Sequence, residues 1–275
     1  MQNLVSVSSA PIAKLGDKEY YDLLGTLEVL RAVYKDSAVD GFELQLEPEW
    51  DSEGPPKTDS DLADWTRTPK FRLPDILALL RKEKLPILSV HASRDVGCCL
   101  CSGRKRDVEK GKRLIFDSLS LSEDLGAEVC VFHVWDTRKE QFDFDALREV
   151  FLEIADQFSK VKASVENVPT CLKGRTPFAL VEQFDHVTLD LRWAALYDEL
   201  DKFESIVEKI VNVHLRGRLE GDSWVLDRSS FSFQQALNRI QREWRYRGLL
   251  TVEPEGGIDS STYSNFIRAM KSLKK

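Results

Sequence analysis

Val211-Asn212-Val213-His214-Leu215-Arg216, after Ile210, alternates strictly between apolar and polar side chains. A strand has a side-chain period of two, so Val211, Val213 and Leu215 share one face and Asn212, His214 and Arg216 the other. The same grammar recurs in neighbouring segments. His186-Val-Thr-Leu-Asp-Leu191 puts Thr188, Asp190 and Arg192 on one face, Lys162-Ala-Ser-Val-Glu166 pairs Ser164 with Glu166, and Gly248-Leu-Leu-Thr-Val-Glu253 pairs Thr251 with Glu253. In each segment the polar face carries an ionisable group toward the C-terminal end.

Four further β-rich runs lie upstream: Leu4-Val-Ser-Val-Ser8, Gly41-Phe-Glu-Leu-Gln-Leu46, Pro86-Ile-Leu-Ser-Val-His91 and Glu128-Val-Cys-Val-Phe-His-Val134. Helix-length amphipathic segments separate the runs. Residues 73–82, 108–125, 146–158, 203–209 and 233–244 carry apolar stripes at helical spacing, and Pro74 and Gly126 mark a start and a stop. Alternating β and α segments imply βαβ units and a parallel sheet. Eight such units in 275 residues favour closure. Residues 1–275 are therefore read as a single (β/α)8 TIM barrel of the α/β class. Residues 49–70 and 92–107 are long loops on its C-terminal face, where barrel active sites are built.

Composition bounds the function. Hydrophobic residues make up 42% of the chain, enough for a large core, and charged residues make up 31%. The net charge of −7 disfavours a nucleic-acid partner held mainly by electrostatics. The opening residues lack a basic segment followed by an apolar run, and no stretch reaches the roughly 18 apolar residues of a membrane span. Cys98, Cys99, Cys101, Cys130 and Cys171 are odd in number and clustered, a poor disulfide framework. The expectation is a cytoplasmic protein with no membrane partner, compatible with a homo-oligomer. No Walker loop, dinucleotide fingerprint or nucleophile elbow is present, so no nucleotide cofactor is expected.

If the apolar faces pack on the helices, the polar faces point into the barrel. Glu166, Asp190, His214 and Glu253 then converge from four neighbouring strands. Three carboxylates in one cavity need a cation. Two sources are open: salt bridges from Arg192, Arg216 and Arg218, or one divalent metal. The convergent set favours the metal. Oxygen-rich ligation with one imidazole suits Mn²⁺, Mg²⁺ or Co²⁺ better than Zn²⁺, which stays within range. Arg192 and Arg216 either balance these acids or grip an anionic substrate.

Val165-Glu-Asn167, Leu189-Asp190, Val213-His-Leu-Arg216 and Val252-Glu-Pro254, with Ser89-Val-His-Ala92 and His133, resemble the xylose isomerase-like barrel superfamily. That superfamily holds sugar isomerases and epimerases and also endonuclease IV. The resemblance spans nearly the whole chain. It implies a metal-dependent isomerase or epimerase of a small sugar, sugar acid or sugar phosphate. As in tagatose- and psicose-type epimerases, Glu166, Asp190, His214 and Glu253 would hold one metal, and Glu166 and Glu253 would also be the catalytic acid/base pair. Removing a proton beside a carbonyl leaves an enediolate that a metal stabilises, and two carboxylates can take and return the proton. A glutamate at the position of Glu43 is common in such barrels and is assigned to the substrate pocket.

The alternative is an endonuclease IV-like phosphoester hydrolase with three zinc ions. His91, His133 and Glu166 match the ligands of one ion. The third ion needs a histidine where this chain has Trp193, and an Asp-Arg-His run where it has Asp227-Arg228-Ser229. The trinuclear mechanism therefore loses two ligands. His91 and His133 are assigned to substrate binding, with a second ion as the other reading. A non-catalytic sugar-binding barrel is a third possibility. Trp50, Trp65 and Trp135 either wall a sugar ring or pack internally. Cys98-Cys99-Leu100-Cys101 and Arg104-Lys105-Arg106 are read as incidental loop residues.

Overall fold

A computed structural model describes residues 3–227 and 229–274. The strands are β1 (Leu4–Ser8), β2 (Gly41–Gln45), β3 (Ile87–His91), β4 (Val129–Phe132), β5 (Lys162–Glu166), β6 (Val187–Asp190), β7 (Ile210–Glu220), β8 (Ser223–Val225) and β9 (Leu249–Gly256). They run side by side in the order β6-β5-β4-β3-β2-β1-β9-β7, and a β6–β7 pairing closes the ring. Those eight strands are mutually parallel. The expected (β/α)8 TIM barrel is the observed fold.

The apolar faces pack outward under the helices. Val5, Val7, Leu189, Val213, Leu215, Leu250 and Val252 are all buried. Each contributes roughly 1.5–3 kcal/mol through burial. The helix Leu23–Asp36 sets Leu23, Leu27, Leu30 and Val33 on this layer, and Asp22 caps it by accepting from the Gly25 amide. The helix Lys105–Leu125 ends at Gly126, whose φ of 73° stops the chain in the left-handed region.

The barrel interior is polar. Ser6 and Thr251 hydroxyls pair at 2.8 Å and Ser164 and Thr188 at 2.7 Å. Buried hydroxyls must find partners, and small ones on adjacent strands satisfy each other without filling the bore.

Three differences from the sequence reading have clear causes. First, β7 runs on to Glu220 and turns at Gly221 into the short antiparallel strand β8. Gly221 takes a positive φ of 62°, which a turn this tight needs. Trp224 in β8 is anchored between the Phe233 and Phe266 rings. Second, the loops after β2 and β3 contain the helices Asp59–Trp65 and Asp95–Leu100. Third, β6 stops at Asp190, and Leu191–Leu196 is helical. Arg192 therefore reaches the mouth from a helix turn and does not share a strand face with Asp190.

Candidate metal centre at the barrel mouth

Glu166 and Asp190 end β5 and β6, and His214 and Glu253 lie within the longer β7 and β9. Asp190 pairs in register with His214, Glu166 with Thr188, and Glu253 with Arg216. The set steps two residues along the ladder from β5 to β6, none from β6 to β7, and two from β7 to β9. In a closed barrel the strands tilt and the register staggers, so spatial neighbours step along the ladder.

Each side chain is held by its own local structure. Asn167 follows Glu166 and bonds across to β6: its Oδ1 accepts from the Asp190 amide at 2.6 Å, and its Nδ2 donates to the Asp190 carbonyl at 3.2 Å. Asp190 is also the N-cap of the helix Leu191–Leu196, with Oδ1 accepting from the Trp193 amide at 2.9 Å. One oxygen is thereby committed, and Oδ2 faces the centre. Beneath His214, Glu43 Oε2 lies 3.2 Å from Nε2 and also accepts from Ser89 at 2.9 Å and Asn212 at 3.2 Å. A carboxylate only accepts, so Nε2 carries a proton and Nδ1 faces the acids.

His214 Nδ1 lies 3.5 Å from both Glu166 Oε2 and Glu253 Oε2. Ligand-type atoms of Asp190, His214 and Glu253 come within 4.8 Å of one another, as do those of His91, Glu166 and His214. Glu166 Oε1, Asp190 Oδ2 and His214 Nδ1 are buried without a hydrogen-bond partner. Three of the four expected ligands thus each keep one unsatisfied atom. Buried polar atoms are rarely left so, and a cation among them removes the cost. The donor set fits a divalent metal.

The electrostatics of the metal-free chain agree. Burial alone would raise Glu166, but the imidazoles of His133 and His214 outweigh it and hold the carboxyl well below its usual range. Burial raises Asp190 to about 7, opposed by Arg216 and reinforced by Glu166 and Glu253. Burial would lower His214, yet Glu43 and Glu166 push it well above the usual imidazole value.

His91 and His133 both reach the same oxygen, Glu166 Oε2, at 3.2 and 2.9 Å. The centre opens on one side only. Glu166 is 1% exposed, whereas Glu253 is 12% and His133 24% exposed. A molecule entering from the C-terminal face meets Glu253 and His133 first.

Several expected positions are filled differently. Glu43 was assigned to the substrate pocket; it is fully enclosed, and its contacts are to Ser89, Asn212 and His214. Bonding to three interior groups draws it below the mouth. The three tryptophans are buried, each with its indole N–H on a backbone carbonyl: Trp50 on Tyr20, Trp65 on Glu49, Trp135 on Pro169. All three pack internally, and Trp50 also borders a cavity. Arg216 Nη1 sits 3.6 Å from Asp190 Oδ2 and 3.5 Å from Glu253 Oε2, and its Nε sits 3.3 Å from Glu255 Oε1. Arg192 contacts the same Glu255 oxygen. Asp227 pairs with Arg218 at 3.4 Å, and its neighbour Arg228 lies outside the described residues.

Three contributors escaped the sequence reading. Glu255 shares the period-2 face of Glu253, a signal present in the sequence. Asn167 was visible only as part of a tag. Arg94 bridges Glu47 at 2.9 Å and Glu49 at 2.5 Å and ties the loop after β2 to the loop after β3. A cavity of about 400 Å³ is bordered by Trp50, Phe71 and Ile76 and by none of the four convergent residues. The acids, not the cavity, mark the site.

No protein-family profile matches the sequence, and no curated protein matches it. Solved structures do. A sugar phosphate isomerase/epimerase from Parabacteroides distasonis is similar at TM-score 0.62 and 14% identity, over 99% of this chain and 94% of that one. An L-ribulose 3-epimerase is similar at 0.64 and 14%, over 99% and 93%. A xylose isomerase-like TIM barrel protein from Mycobacterium smegmatis, solved with magnesium, is similar at 0.59 and 13%, over the full length of both. At this identity the likeness is one of fold: the chain has the fold of the xylose isomerase-like TIM barrels.

Proposed function

We propose that this chain is a divalent-metal-dependent isomerase or epimerase of a small polyhydroxylated sugar. The observation that carries this reading is the buried convergence of Glu166, Asp190, His214 and Glu253, with unsatisfied ligand atoms on three of them. The similar folds bear names of sugar isomerases and epimerases, and one was solved with magnesium.

Asp190 and His214 are the fixed ligands, one locked by its helix cap and the other by Glu43. Glu166 and Glu253 complete the set and face each other across His214. A bound divalent cation supplies Lewis-acid stabilisation of the oxygen that becomes negative when a proton leaves the carbon beside a carbonyl. Glu166, kept ionised by His133 and His214, removes that proton. Glu253, on the open side, returns one from the opposite direction. His91 and His133 orient Glu166, and His133 reaches far enough into the opening to touch substrate. Five free thiols and the absence, among the described residues, of a helix long and apolar enough to cross a membrane fit a cytoplasmic setting.

The test is exchange of solvent deuterium into a panel of ketoses by the metal-loaded protein, followed by proton NMR. Exchange is expected, with a loss of about 10²–10⁴-fold in Glu166→Gln and in Glu253→Gln. Full exchange in both variants would sink the acid/base assignment.

A further inference from the structure

Arg192 and Arg216 stand at the mouth of the proposed centre, and both guanidinium carbons lie close to the Trp193 ring, at 4.7 and 5.2 Å from its centroid. Two like charges this close repel. Glu255 relieves the repulsion: its Oε1 meets Arg192 Nη1 and lies 3.3 Å from Arg216 Nε. The carboxylate fills the fork where an external oxyanion would bind.

We propose that Glu255 is a specificity-determining residue, an internal carboxylate that occupies the Arg192–Arg216 fork and excludes anionic substrates. The inference rests on the isomerase reading for its premise that this opening admits substrate. Two arginines beside a metal centre would otherwise suggest a phosphate or carboxylate subsite. The charges say otherwise. Three ligand carboxylates are balanced by a divalent cation together with Arg216, and Arg192 is balanced by Glu255. A phosphorylated or carboxylated substrate would add negative charge to a neutral mouth above buried Glu43.

The Glu255 backbone is fixed at the fork: it is the residue bulged out of β9 between two pairs with β7, Pro254 with Gly217 and Gly256 with Arg218. An incoming oxyanion therefore competes with a tethered one, held at high effective concentration. Glu255 and Arg192 remain 20% and 40% exposed, so the fork is within reach of solvent and only its occupancy excludes an anion.

The experiment measures binding of inorganic phosphate to the Mg²⁺-loaded protein by calorimetry, in wild type, Glu255→Gln, Arg192→Met and the double variant. The readout is the part of the affinity that depends on Arg192, which separates the fork from phosphate bound directly to metal. The expected result is no Arg192-dependent binding in wild type, and a gain of about tenfold or more in Glu255→Gln that the double variant loses. Wild-type binding that weakens in Arg192→Met would overturn the proposal. So would a folded, metal-loaded Glu255→Gln with no gain. If Glu255→Gln does not fold, the comparison of wild type with Arg192→Met still decides. The phosphate readout is independent of turnover: a protein that fails the ketose exchange test yet shows the phosphate gain would sink the isomerase reading and leave Glu255 as the occupant of the fork.

Discussion

Glu43 Oε2 and His214 Nε2 face each other at 3.2 Å inside the barrel, both side chains fully enclosed. The contact decides which imidazole nitrogen is available above. It also explains why a carboxylate survives at the bottom of a closed bore: Ser89, Asn212 and His214 all turn their hydrogen-bonding groups to it.

Replacing Glu43 should therefore act on the metal through the histidine. Outer partners of ligating imidazoles are typically worth 10–100-fold in metal affinity. Glu43→Gln is expected to weaken Mn²⁺ binding by about that factor in equilibrium dialysis. Unchanged affinity would show that His214 is oriented without it.

Metal content follows from the same ring. One divalent ion per chain is expected by elemental analysis, lost in Asp190→Ala and in His214→Ala. Two ions per chain in the wild type would instead favour a second site at His91 and His133. None under any loading condition would leave a salt-bridged pocket.

Chelation should cost stability if the proposed centre is filled, because an ion bound there would favour the folded chain and relieve three crowded acids. At a free concentration of 100 times Kd, a bound ligand adds about 2.7 kcal/mol. Thermal melts with and without chelator should separate accordingly, and coincident melts would mean that no ion binds.

Asn167 joins β5 to β6 through two buried bonds to the Asp190 backbone. Asn167→Ala strands a buried amide and carbonyl and should cost roughly 2–6 kcal/mol at about 1–3 kcal/mol per unsatisfied group. Denaturant unfolding measures this. Asn167→Asp keeps the acceptor but turns a carboxylate oxygen toward the Asp190 carbonyl beside two acids, and should be destabilised at least as much.

Glu47 offers a pH test away from the centre. Burial raises its carboxyl to about 7 from a usual 4.5, although Arg94 opposes the shift. A raised carboxyl favours the folded chain when protonated. Its contribution is fully present below pH 4.5 and is lost as pH climbs through about 7. Wild type should lose up to roughly 3 kcal/mol across that window relative to Glu47→Gln. Parallel stability profiles would show that Arg94 keeps Glu47 ionised throughout.

The sequence alone determined the barrel and the four ionisable side chains that converge at its mouth. Strand alternation is local, so Asn212-Val213-His214 declared its polar face without help, and βαβ rhythm plus length left closure as the economical solution. Glu166, Asp190, His214 and Glu253 were legible because each sits at the same grammatical place in its strand. The tertiary structure decided what those residues touch. Period-2 alternation says which face Glu43 occupies but not that three interior groups draw it beneath His214. It could not place Arg192, because the strand ends at Asp190 and a helix begins. Nor could it pair Glu255 with Arg192 and Arg216, which are 63 and 39 residues away along the chain. Side-chain pairing across a closed barrel depends on stagger and tilt, which are properties of the whole ring and of no single strand.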